Sequence, residues 1–224
     1  ENGLLVNQLK ATYPHRVFAA NFHQNDFLET AYATYLANQL GGLISISRGT
    51  VNRTVGKQTL NGEDGNLLLS PQNWEGAILQ TLMQPDAPLS IALETGQNEN
   101  GTGSLNVYVA HKQALATDTR LVVYALEDNI QPLFQQGNVD GFTHNNVFKG
   151  MLTSFEGDPI NLTESSEKGI IQKVSFSTIN LAEYNLANLK FVAFIYHQNA
   201  DLKKKQIINA QEVGFYGVHY WDVE

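Results

Sequence analysis

Leu105-Asn106-Val107-Tyr108-Val109 sets Leu105, Val107 and Val109 on one side of an extended chain, with Asn106 and Tyr108 on the other. A strand with one buried face and one wet face is the simplest solution to that pattern. Strand-like runs recur at 89–95, 119–126, 170–179, 189–197 and 206–215, and Ile170, Val174 and Phe176 share a parity within theirs. Turns rich in Gly and Asn, such as Gly96-Gln97-Asn98-Glu99-Asn100-Gly101, separate several of them. No helical period of any length interrupts the series. The pattern predicts a β-sandwich over residues 89–224.

Ahead of that region the reading changes. Gln84-Pro85-Asp86-Ala87-Pro88 would stop a helix and serve as a linker. Leu5, Leu9 and Tyr13 have helical spacing up to Pro14, and 17–23 is a mostly apolar run of strand length. Asp26 and Glu29 have the form of a capping box. The helix they would open carries Leu28, Tyr32, Tyr35 and Leu36 on one face as far as Gly41-Gly42. Residues 43–55 read as extended and 61–66 as a turn. Ser70 and Pro71 then open a helix with Trp74, Ala77, Ile78, Thr81 and Leu82 on its buried stripe.

Composition narrows the chemistry. The 224 residues are 16% charged, and 14 basic against 22 acidic groups give a net charge of -8, which repels nucleic acid. With no cysteine, disulfides, thiolate metal sites and cysteine nucleophiles are excluded within this sequence. No apolar run reaches the roughly 18 residues of a membrane-spanning helix. The chain opens at Glu1 rather than Met, so a targeting segment is expected ahead of it.

Chemistry-bearing residues gather in one place. Leu126-Glu127-Asp128-Asn129-Ile130 is followed by Phe142-Thr143-His144-Asn145-Asn146-Val147-Phe148-Lys149-Gly150. Glu127, Asp128, His144 and Asn145 have the groups to hold a small ligand or polarise it. The favoured alternative is that His144 and the amides bond to backbone and fix the path of a long crossover. Arg53, with Arg48 near it in sequence, is a candidate for an anionic ligand, or for an ion pair at the domain junction. His23 is a lone imidazole at a strand end. No Gly-x-Ser-x-Gly or phosphate loop occurs, and the turn holding Glu63, Asp64 and Asn66 lacks calcium-loop spacing. No metal, cofactor or catalytic residue is assigned. Lys203-Lys204-Lys205 would suit either anionic headgroups or a protective hairpin tip. Tyr216, Tyr220 and Trp221 are candidate stacking residues for a protein or glycan.

Glu127-Asp128-Asn129-Ile130 and the stretch from His144 to Gly150, with Val51-Asn52-Arg53, Phe191-Val192-Ala193-Phe194-Ile195-Tyr196 and Ile207-Ile208-Asn209-Ala210-Gln211-Glu212-Val213, resemble the twenty-eight-kilodalton outer-membrane protein family of Gram-negative bacteria. The resemblance implies an α/β thioredoxin-like unit over 1–84, short of its first strand, joined to an all-β sandwich over 89–224 of immunoglobulin-like or jelly-roll-like type. It also implies export and a lipid anchor at the outer membrane, outside this chain, and it brings no established activity. The strands lack the apolar outward band of a transmembrane barrel. Two departures weigh against redox chemistry: the family's Cys-x-x-Cys is missing, and no proline stands near Ser47-Arg48-Gly49, where a thioredoxin-like site holds a cis-proline. The expectation is a non-enzymatic surface or periplasmic protein that binds an unnamed protein or glycan. The alternatives are a thiol-disulfide oxidoreductase-like protein with its cysteines elsewhere, and a dedicated cell-surface binding module.

Overall fold

The computed structural model describes residues 2–40, 48–115, 118–131 and 142–220. Three helices lead: α1 (Asn2–Thr12), α2 (Ala31–Gln39) and α3 (Trp74–Leu82). The strands follow as β1 (Leu89–Gln97), β2 (Gly103–His111), β3 (Thr119–Glu127), β4 (Val147–Met151), β5 (Asp158–Ile160), β6 (Ile170–Ile179), β7 (Leu189–His197), β8 (Ile207–Gly214) and β9 (Val218–His219). They form two sheets, one in the order β6-β2-β1-β9 and one in the order β4-β3-β7-β8, with β5 also on β3. The pairings within them are antiparallel.

The period-two reading holds at the interior. Leu105, Val107 and Val109 are fully buried against Leu121, Val123 and Ala125 of β3 and Phe191, Ala193 and Ile195 of β7, in one core between the sheets. Each such side chain contributes roughly 1.5–3 kcal/mol of transfer free energy. β3 and β7 are also buried on their other faces. Val122, Tyr124, Leu126, Val192, Phe194 and Tyr196 join Tyr32 and Phe148 in a second core, roofed by Phe18, Phe22, Tyr35 and Leu36. That is why Leu121-Val122-Val123-Tyr124-Ala125-Leu126 reads as a continuous apolar run: a strand covered on both faces has no wet side to mark with polar residues.

The residues before β1 supply that roof. The run 17–23, expected as a strand, is extended but pairs only at Asn21, in a parallel bridge to Val147 of β4. Among the described residues before Leu89 there is no strand, only this bridge and one between Gly49 and Leu69. Helix α2 starts later than the expected capping box would place it. Thr30 is its cap and accepts from the Ala33 amide, whereas Asp26 accepts from Leu28 N–H and Glu29 from Asn25 N–H in a preceding turn. Its expected buried face is correct, with Tyr32 3% exposed. Ser70 makes no side-chain cap; Pro71 opens a single 3-10 turn that runs into α3. Asn52 and Arg53 are not extended but sit in the left-handed region, at φ 48° and 52°, so the chain turns there. Of the expected extended stretch 43–55, residues up to 47 lie outside the described residues, as do Gly41, Gly42 and Ser47.

Candidate functional site

The return from β3 to β4 brings 126–131 back beside 142–148. Ile130 and His144 exchange backbone hydrogen bonds at 3.0 and 2.8 Å. Asn129 N–H donates to Asn145 Oδ1 at 3.0 Å and Asn146 N–H to Asp128 Oδ1 at 2.6 Å, with Asn129 and Asn146 both at positive φ. The return also grips the N-terminal layer, because Asn21 N–H donates to Asn146 O at 2.7 Å and Asn21 Nδ2 to Asn145 O at 2.7 Å. The Asn145 side chain, which looked chemical in sequence, is therefore used on backbone.

Charged groups meet just behind this turn. Asn146, 1% exposed, accepts on its Oδ1 from Lys10 Nζ at 2.8 Å and from Lys190 Nζ at 2.7 Å. Lys10 also reaches both oxygens of Glu212, at 3.0 and 2.9 Å, and Lys190 reaches Asp128 Oδ2 at 2.7 Å. Two ammonium groups so close would repel, and the two carboxylates offset that. Burial lowers the Lys10 pKa from its ordinary value; Glu212 opposes the shift and Lys190 adds to it. The cluster ties α1, the β3–β4 return, β7 and β8 together. Shallow clefts of about 510 Å³ and about 410 Å³ flank it, the first lined by Asn129, Asn145 and Asn188, the second by Phe18, His15 and His219; Lys10 and Glu212 belong to both.

Of the residues singled out in sequence, Asp128 and Asn145 line one cleft, and the others lie elsewhere. Glu127 occupies the opposite face of β3, where after burial and Glu183 it helps push the Tyr184 hydroxyl pKa up. His144 is 9% exposed with its ring against His23 and Phe142, at centroid distances of 5.0 and 4.8 Å. His23 Nδ1 contacts Asp26 Oδ2 at 2.8 Å. Burial, then His23, lower the His144 pKa, with Asp26 opposing. No group of three ligating side chains fit for a metal occurs among the described residues. Arg53 lies on the far part of the covered face, its guanidinium over the rings of Tyr196 at 4.7 Å and Phe194 at 5.1 Å.

Arg48 pairs with Glu63 instead. Ser70 N–H, Ser70 Oγ and Asn73 Nδ2 also donate to Glu63, and together these donors, led by the Ser70 amide, lower its pKa to about 2. Asp64 accepts on Oδ1 from Thr59 N–H and Oγ1, so both carboxylates of this turn have partners within the protein. The basic run divides likewise: Lys205 is buried on Glu156, Lys203 donates to Gly65 O, and Lys204 is exposed. Sequence reading missed Lys10, Lys190 and Glu212. The available signal was Lys190 at the head of Phe191-Val192-Ala193-Phe194-Ile195-Tyr196, since a charge in a doubly buried strand needs a partner.

Tyr216 stands at φ 63°, 60% exposed, its hydroxyl donating to Gln97 Oε1 at 2.7 Å. Tyr220 is 71% exposed, and Trp221 lies outside the described residues. No helix among the described residues is long and apolar enough to cross a membrane.

A solved structure of HBP35 of Porphyromonas gingivalis is similar over 98% of this chain and 70% of that one, with TM-score 0.71 and 20% identity. A domain of the outer membrane lipoprotein Omp28 from Porphyromonas gingivalis aligns over 58% of this chain and 90% of its own, with TM-score 0.35 and 17% identity. No curated protein matches. The family model described as outer membrane protein Omp28 matches residues 37–215, which takes in strands β1 to β8, the β3–β4 return and most of the charged cluster. The chain belongs to the Omp28 outer membrane protein family, and the outer membrane is its location.

Proposed function

We propose that the chain is a non-enzymatic binding protein, held at the outer membrane by a lipid attached ahead of Glu1. The observation that carries this reading is the closed charge cluster: Lys10, Glu212, Lys190 and Asp128 satisfy one another around Asn146 and leave the group acting as a clamp. Its chemistry is directed at α1 and the β3–β4 return rather than at a substrate. Within residues 1–84, read as a thioredoxin-like unit, Phe18, Phe22, Tyr32, Tyr35 and Leu36 cover the outer face of a sandwich sheet, and Asn21 is bridged to Val147 of β4. That arrangement favours binding over the thiol-disulfide alternative, whose cysteines would have to come from outside this sequence.

Two measurements on the full-length precursor test it. Labelled fatty acid should enter the mature protein, and the protein should stay with the outer-membrane fraction until detergent is added. Insulin-disulfide reduction should stay at the level of the buffer control. Release without detergent would overturn the anchor, and measurable reductase activity would overturn the non-enzymatic reading.

A further inference from the structure

The charged cluster behind the β3–β4 return has an acyl group at its centre, and the groups around it are those that attack of an amine on an amide requires. Asn146 is 1% exposed, and its Oδ1 accepts from two ammonium groups, Lys10 Nζ at 2.8 Å and Lys190 Nζ at 2.7 Å. Its Nδ2 is lightly held, reaching Asn7 Oδ1 at 3.5 Å. The contact on Oδ1 puts Lys10 Nζ no more than about 4 Å from Asn146 Cγ, which lies one carbonyl bond further on. Glu212 accepts from Lys10 Nζ on both oxygens, at 3.0 and 2.9 Å, within reach for proton transfer. Lys190 is paired with Asp128 Oδ2 at 2.7 Å and lies 3.8 Å from Glu212 Oε2. An amine, a base for its proton, a carbonyl carbon and a cation on the carbonyl oxygen thus meet in one place.

We propose that the cluster closes covalently: Lys10 Nζ displaces the side-chain nitrogen of Asn146 and leaves an isopeptide bond between α1 and the β3–β4 return. Glu212 takes a proton from the Lys10 ammonium, and the freed lone pair forms the new bond to Asn146 Cγ. The carbonyl electrons move onto Oδ1, where the Lys190 ammonium already donates and stabilises the oxyanion. As the carbonyl re-forms, the bond from Cγ to Nδ2 breaks. Nδ2 gathers the two protons shed by Lys10, by way of Glu212, and departs as ammonium into the cleft that Lys10, Asn145 and Glu212 line. Nothing is oxidised or reduced. Burial, reinforced by Lys190 and opposed by Glu212, lowers the Lys10 pKa and so raises its share of free amine, which selects it as the nucleophile. The fold supplies the proximity, since the two groups are 136 residues apart in sequence. This sequence has no cysteine for a disulfide, and a bond closing so long a loop gives the same kind of restraint. The proposal rests on the clamp reading above and leaves the binding reading in place, because a self-reaction turns over once and has no substrate.

Peptide mass spectrometry of the purified full-length protein after trypsin digestion tests it. The segment around Lys10 should stay uncut at that lysine and appear joined to the segment around Asn146, lighter than the two together by one ammonia. Lys10→Arg, which keeps the charge and the donors, should return the two segments separately at full mass and lower the melting temperature. Glu212→Gln should slow formation of the bond at least about tenfold. Separate segments from the parent protein, cut after Lys10 even after days at mildly alkaline pH, overturn the proposal. A branch through Lys190 overturns the choice of nucleophile, and loss of ammonia confined to Asn61 or Asn100, each followed by glycine, overturns the site. The parent spectrum needs no variant, so misfolding of Lys10→Arg or Glu212→Gln leaves the test intact. None of these outcomes touches the fractionation and reductase results, so the two readings fall separately.

Discussion

The two sheets share one interior and differ on their outer sides. On the β4-β3-β7-β8 sheet the outward positions are Tyr124, Leu126, Val192, Phe194 and Tyr196, and the N-terminal layer buries them. The β6-β2-β1-β9 sheet instead turns Glu94, Asn106, Tyr108, Lys173 and Ser175 outward. The difference separates a face buried under the N-terminal layer from one left largely exposed. The covered face is aromatic and closely joined: Tyr32 and Tyr124 share a hydroxyl contact at 3.0 Å, with Phe22 and Phe148 around them. The bare face is held together by isolated polar bonds between neighbouring strands.

The sharpest way to break the contrast is Tyr124→Ala. It should cost about 3–5 kcal/mol in urea unfolding, since it opens a cavity in the second core. A cost under about 1 kcal/mol would mean that the layer is not docked as described. Next, Lys190→Ala leaves Asp128 without its cation and Asn146 short of a donor, for about 2 kcal/mol. Lys190→Met should recover part of that loss, because the stem still fills its place.

Acid probes the covered side a third way. Tyr35 Oη, then Lys205 and Gln198, hold the Glu156 carboxyl at about 2, below its ordinary 4.5. A lowered folded-state pKa adds stability that is complete above 4.5 and lost as pH falls from there towards 2. Melting temperature should therefore drop across that window, and Glu156→Gln should flatten the drop while lowering the plateau at neutral pH. An unchanged profile would remove Glu156 as the link between α2 and β7. The smallest effect belongs to the bare face, where Tyr108→Ala should change stability by less than about 1 kcal/mol. A loss as large as that of Tyr124→Ala would erase the distinction between the faces.

Much of this architecture was legible in the sequence, for identifiable reasons. Strands β6 and β7 have the expected bounds, because apolar parity or a bounded apolar run ends where they end. β5 and β9 escaped notice, being three and two residues long, too short for a period to show. The roofing role of the N-terminal layer was hidden because Phe18, Phe22 and Tyr35 look the same whether they fill a separate domain or a neighbouring sheet. The site was less legible. Asp128 and Asn145 could be found as turn residues, yet their partners Lys10, Lys190 and Glu212 are distant in the chain, and local spacing carries no trace of them. The bare face was visible only as polar residues opposite Leu105, Val107 and Val109, since register across three strands is needed to bring Glu94, Tyr108 and Lys173 together.

Native-state hydrogen exchange tests most directly that the N-terminal layer and the covered sheet are one structural unit. The Asn21 and Phe148 amides, bonded to each other's segments at 2.7 and 2.9 Å, report the seam, and the β3 and β7 amides report the sheet. All four should exchange only through global unfolding, with the same free energy and the same denaturant dependence. Exchange at Asn21 and Phe148 through a separate opening, several kcal/mol below that of β3 and β7, would contradict it.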